Sequence, residues 1–208
     1  MRIATRLLGL AALIAASVSC GDVVRQGSSP VYLVIDLLQA IRGGPTVGTA
    51  SSTLTSDVIT NVVNPLPCST AAPCPTIFGD SGTVTLRAPL KDIGGTAALA
   101  PTTNNEVTIN RFRVEYTRAD GRNTQGVDVP FAFDAAVTGT ITANGNLTLG
   151  FELVRSVAKQ EAPLAQLRTS PNIISSIAKV TFFGVDRVGN AVSVTGQMQI
   201  EFGNFGDF

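Results

Sequence analysis

The side chains in this chain that could do chemistry are few, and their types narrow the options. There is no histidine. That removes Ser-His-Asp and Cys-His triads, most zinc sites and imidazole acid–base catalysis together. Three cysteines stand at Cys20, Cys68 and Cys74. Cys68 and Cys74 have the wrong spacing for a redox pair, which favours two intervening residues, and a metal site would want His or more Cys. The expectation is a structural disulfide closing a proline-rich loop. Arg111, Arg113 and Glu115 alternate with Phe112, Val114 and Tyr116, so three charges share one strand face. Such a stripe either meets a charged ligand or is a solvated face laced by cross-strand ion pairs, and the second is expected. Asp120, Asn123, Asp128, Asp134, Asp186 and Asn190 place oxygen ligands near turns, where a calcium site could form. None follows the EF-hand loop, and Asp and Asn are also the ordinary residues of turns. Carboxylate pairs could serve a glycosidase, but sugar sites usually add stacking aromatics, and here there is no Trp and only two Tyr. The chain is therefore expected to be no enzyme and to carry no catalytic residue, cofactor or metal.

Composition sets the frame for positioning these groups. The chain has 208 residues, 44% hydrophobic and 14% charged, enough for one domain with a sizeable core and too apolar for general disorder. Fifteen basic residues balance fifteen acidic ones. The basic residues are scattered, with only Arg111, Arg113, Arg118 and Arg122 close together, so nucleic acid is not an expected partner.

The N-terminus reads as an address. Arg2 and Arg6 form a positive region, and Leu7 to Ala16 an apolar run of signal-peptide length. The run is short of the about 20 residues a spanning helix needs. Ser17-Val18-Ser19 then offers small residues directly before Cys20. This junction resembles a bacterial lipobox, which implies a diacylglyceryl group on Cys20 and a membrane partner for that anchor. Ordinary signal peptidase could cut the same bond and leave a soluble product. Cysteine arithmetic favours lipidation: if Cys68 pairs with Cys74, Cys20 is surplus, and a free thiol is unusual in an exported protein. Residues 1–19 are thus read as signal peptide, 20–30 as a tether after the lipidated cysteine, and 31–208 as one β-sandwich domain.

From about Ser51 onward the dominant period is two. Val84, Leu86, Ala88 and Leu90 share one face. Phe131, Phe133, Ala135, Val137, Gly139 and Ile141 share another, as do Leu147, Leu149, Phe151 and Leu153. The clearest run sets Val192, Val194, Met198, Ile200 and Phe202 against Ser193, Thr195, Gln197, Gln199 and Glu201. Ala143-Asn144-Gly145-Asn146 predicts a type I′ hairpin between the two runs that flank it, and Asp186–Asn190 a second hairpin. Val31–Ile41 fits a strand, although Leu33, Val34, Leu37, Leu38 and Ile41 also fit one helix face. Asn64–Thr76 reads as loop. Gln160–Thr169 predicts a short helix with Pro163 in its first turn, crossing between sheets.

Two stretches carry a family resemblance. Val107–Gly121 (VTINRFRVEYTRADG) resembles the strand-C region of fibronectin type III domains, and Val180–Phe202 (VTFFGVDRVGNAVSVTGQMQIEF) the closing hairpin of bacterial immunoglobulin-like domains. The whole chain also resembles uncharacterised bacterial lipoproteins, which implies location and no activity. The expected fold is all-β, an antiparallel two-sheet immunoglobulin-like sandwich with a short crossover helix. The expected role is a non-catalytic envelope lipoprotein with a protein partner. Two alternatives are a carbohydrate- or small-ligand-binding module and a small outer-membrane barrel, the latter needing an apolar exterior and interfacial aromatics.

Overall fold

Period-two runs rich in Val, Ile, Thr and Phe become strands because such side chains fit a pleated, half-buried surface. The computed structural model describes residues 28–91 and 102–207. The expected signal peptide, Cys20 and the expected tether up to residue 27 lie outside the described residues. The strands are β1 (Val34–Ile41), β2 (Ala50–Ser51), β3 (Thr53–Asp57), β4 (Thr60–Val62), β5 (Cys74–Thr76) and β6 (Asp80–Arg87). They continue with β7 (Val107–Thr117), β8 (Phe133–Ile141), β9 (Asn146–Val154), β10 (Ile174–Asp186) and β11 (Ala191–Gly203). One sheet has the order β2-β1-β6-β9, the other β3-β11-β10-β7-β8, and β4 and β5 pair by themselves. The apolar faces of the two larger sheets meet in a shared core, as a sandwich requires. Both sheets are open and turn their apolar residues inward, so the barrel alternative fails.

Ladder pairing places β7 beside β10 and β10 beside β11. These three strands form the antiparallel middle of the five-stranded sheet. One pair departs from the wholly antiparallel expectation: β3 runs parallel to β11, Thr53 against Gln199 through Asp57 against Gly203. The chain leaves β2 in one sheet and, past Ser52, continues as an edge strand of the other.

Two further expectations need correction. The turn at Asn144 does not close a hairpin, because β8 pairs with β7 while β9 pairs with β6 in the opposite sheet. A type I′ turn needs positive φ at both central residues. Here Asn144 alone has it, at 60°, and Gly145 instead donates its N–H to the Thr142 carbonyl. The chain therefore arches from sheet to sheet. Phe131, expected inward, precedes β8 and is exposed, with its ring lying against Gly126. The Asp186–Asn190 hairpin forms as expected: Gly189 has φ +92°, and the Asp186 carboxylate accepts N–H groups from Val188 and Asn190.

Val31–Ile41 is extended, with β1 opening at Val34. A bulge sits inside it: Ile35 faces Leu86 and Leu37 faces Thr85, leaving Asp36 as the extra residue. The bulge shifts the inward parity from Leu33 and Ile35 to Leu38 and Ala40, so Leu37, on the expected helix face, is exposed. The crossover after β9 is helical as expected, though as two 3₁₀ segments, Ala158–Gln160 and Leu164–Thr169, which bury Leu164 and Leu167. Packing reaches back to Ser29, which is buried and caps the Val31 N–H.

At the centre Phe112 and Phe182 from one sheet meet Phe151 from the other, edge to face, at 5.4 and 5.2 Å. Gly82 makes room, since a Cβ there would lie 2.4 Å from the Phe151 ring. The buried Tyr116 hydroxyl donates to the Leu153 carbonyl at 2.6 Å, a hydrogen bond between sheets.

Ile200 is wholly buried, whereas its neighbour Gln199 is exposed. Ile200→Ala is expected to cost about 2–5 kcal/mol in a urea melt, and Gln199→Ala no more than about 0.5 kcal/mol. Equal losses would contradict the inward assignment of this face.

Candidate functional site

Apolar strands bury charge only where counter-charges can follow, and one end of this sandwich does so. Asp80 opens β6 on the same inward parity as Val84 and Leu86. Lys159 lies in the first 3₁₀ segment, and the two residues are 1% and 0% exposed. The Lys159 Nζ stands 2.8 Å from Asp80 Oδ2. The contact is an ion pair, and the ammonium has no other acceptor among the described residues. Burial pushes the lysine below its ordinary pKa, while the Asp80 and Asp57 carboxylates pull it back and Arg42 lowers it further.

The carboxylate is better satisfied than the ammonium. Asp80 Oδ2 accepts the Ser56 hydroxyl at 2.6 Å, and Oδ1 accepts the Gly43 N–H at 2.8 Å. Gly43 has to be glycine for this approach, because a Cβ would fall 2.0 Å from the Gly79 carbonyl oxygen. Asp57, at the end of β3, is buried beside this group. It pairs with Arg42 at 2.9 Å and accepts from the Thr60 hydroxyl and the Phe205 N–H. Two cations and two carboxylates thus neutralise one another. A pocket of about 200 Å³, lined by Arg42, Gly43, Thr60 and Asp207 among others, opens beside them.

Sequence pattern does not single out this cluster, although one signal points to it. Extending the Val84–Leu86 parity back by four residues puts a carboxylate on the inward face. Lys159, in a turn-rich connection, gives no such signal.

The residues that the sequence does single out lie elsewhere and apart. Cys68 and Cys74 are joined as a disulfide, closing a loop whose last residues form β5 against β4. Asn64–Thr76 is therefore loop only up to Cys74. Arg111 and Arg113 both pair with Asp134, and Glu115 pairs with Arg113 and Lys179. Arg111 also stacks over the Phe183 ring at 3.8 Å. The stripe is thus a solvated face whose charges satisfy one another. The turn oxygens have local donors. Asp120 is held down to about 2 by Arg122 and Arg118. Asn123 accepts the Arg118 N–H, and Asp128 the Thr124 N–H. Partial burial works against the charge of Asp186, and bonds from Asn190, Ser29 and Val188 outweigh it. Among the described residues no three of His, Cys, Asp and Glu converge as metal ligands.

The chain matches no family model, no curated protein and no solved structure.

Asp57→Ala would leave Arg42, Thr60 and the Phe205 N–H without their acceptor. It is expected to cost about 3 kcal/mol by denaturant unfolding, against a much smaller loss for the exposed Asp120→Ala. A loss no larger than that of Asp120→Ala would show that the cluster contributes nothing. The disulfide closes a short loop, so Cys68→Ser with Cys74→Ser should lower stability by about 2 kcal/mol without unfolding the domain. A doubly substituted chain that fails to fold would contradict that.

Proposed function

We propose that this chain is a non-catalytic lipoprotein of a bacterial envelope, anchored through a lipid on Cys20 and presenting its sandwich to a protein partner. The observation that carries the proposal is the fate of the three cysteines. Cys68 and Cys74 consume each other in the disulfide. Cys20 is left as the surplus thiol, directly after an apolar run and Ser17-Val18-Ser19. An exported chain has a clear use for a lone cysteine at that place, which is acylation. One diacylglyceryl group with an added acyl chain supplies the two-chain attachment that stable anchoring needs.

The outer face of the five-stranded sheet suits contact with a protein. Its stripe is polar and its charges are already paired, and threonine pairs such as Thr181–Thr195 and Thr108–Thr140 extend it. The alternative, a carbohydrate- or small-ligand-binding module, has less support. Tyr32 and Phe131 are the aromatics more than a third exposed among the described residues, and they belong to separate segments. The pocket beside Arg42 has no aromatic residue in its lining.

Cys20→Ala should abolish acylation and move the protein from the membrane to the soluble fraction. Mass spectrometry of the mature N-terminus is the check, and an unmodified Cys20 in the wild-type chain would overturn the anchor. A soluble sugar that raises the melting temperature saturably would transfer the proposal to the alternative module.

A further inference from the structure

The Lys159–Asp80 contact has the features of a reaction centre as well as of an ion pair. Both groups are buried, and Nζ touches Oδ2, the oxygen bonded to Asp80 Cγ, at 2.8 Å, with no acceptor of its own beyond that carboxylate. Each carboxylate oxygen already has a donor aimed at it, the Gly43 N–H on Oδ1 and the Ser56 hydroxyl on Oδ2. We propose that Lys159 and Asp80 condense to an intramolecular amide, joining the crossover after β9 covalently to the start of β6.

The step balances within the cluster. A proton passes from the ammonium to Oδ2 across the 2.8 Å contact, giving an amine and a carboxylic acid. Burial disfavours the desolvated ammonium, and the lowered lysine pKa agrees in direction. The amine lone pair then adds to Cγ. Negative charge develops on Oδ1, where the fixed Gly43 N–H stabilises it as an oxyanion-hole donor does. Nζ gives up a second proton to Oδ2 directly, the oxygen that the Ser56 hydroxyl already polarises, and the Cγ–Oδ2 bond breaks with departure of water. Ammonium and carboxylate become one secondary amide and one water, with no external oxidant, reductant or activating group. The fold supplies the proximity that makes such a condensation effectively unimolecular.

The experiment is intact-mass measurement of the folded, full-length chain after denaturation and reduction, followed by tryptic mapping. The expected mass is lower than the sequence requires by one water. A branched peptide should join the Lys159 and Asp80 segments, with no cleavage after Lys159. Lys159→Arg, which keeps the charge but cannot form the amide, should restore the full mass. Full mass in the wild type, with linear peptides cut at Lys159, would overturn the proposal. So would a water loss that persists in Lys159→Arg, which marks a cyclic imide at Asp80 instead. If that variant fails to fold, the wild-type peptide map decides alone. Ser56→Ala should slow the reaction, leaving an uncrosslinked fraction when the wild type is complete, and an unchanged rate would remove Ser56 from the mechanism.

Discussion

Phe112, Phe151 and Phe182 meet between the sheets, and the rest of the sandwich is arranged around that meeting. Two rings come from adjacent strands of one sheet and the third crosses from the other, so their edge-to-face packing fixes both the spacing and the relative alignment of the layers. The aromatic cluster dictates small residues opposite it, as at Gly82, and it brings Tyr116 within reach of the Leu153 carbonyl. A buried hydroxyl without a partner would be costly, so the hydrogen bond between sheets forms where the aromatic packing has already set the distance.

Charge enters the interior at one end only by mutual compensation. The apolar core ends where β6 begins, and there Asp80 and Asp57 face Lys159 and Arg42. A buried pair of this kind is weak evidence for net stability, because desolvation offsets much of the attraction. What it does create is a strong penalty for any arrangement that separates the partners. That penalty is larger here because the ammonium depends on the single Asp80 carboxylate, and nothing else in reach would accept its protons.

Much of this architecture was legible in the residues, and the misses have identifiable physical causes. Alternation located β6 to β11 because inward and outward environments differ sharply in polarity. The closing hairpin was readable because Asp186, Gly189 and Asn190 satisfy one turn through local bonds. The Asn144 turn misled because short turns report local φ values, whereas sheet membership depends on distant partners: β8 lies against β7, and β9 against β6. The bulge at Asp36 disguised β1 by inserting one residue into a period of two. Bulges also shift parity in β7, where inward positions pass from Val107 and Ile109 to Phe112 and Val114. The disulfide followed from cysteine count, since two thiols in a proline-rich loop have few other uses. The Lys159 site was illegible because its members lie on four separate stretches of chain, and only the tertiary fold brings them together.

That separation gives the cluster a structural consequence beyond its own bonds. Ser56 and Asp57 arrive through the parallel alignment of β3 on β11, held by the Val58 N–H on the Gly203 carbonyl. Asp80 arrives through β6, and Lys159 through the crossover that connects the sheets. Each segment closes a long loop, and the closing entropy is recovered only when all are in register. A one-residue slip of β6 against β1 or β9 would turn Asp80 outward and leave Lys159 buried without a counter-charge. The same slip would bring Ser81, an uncharged residue, to the inward position. Apolar alternation alone tolerates slips of two residues with modest loss, since one Val or Leu replaces another. A two-residue slip here would still exchange the Asp80 carboxylate for Gly82, and the lysine would again be stranded. The ionic cluster therefore discriminates between registers that the hydrophobic pattern leaves close in energy.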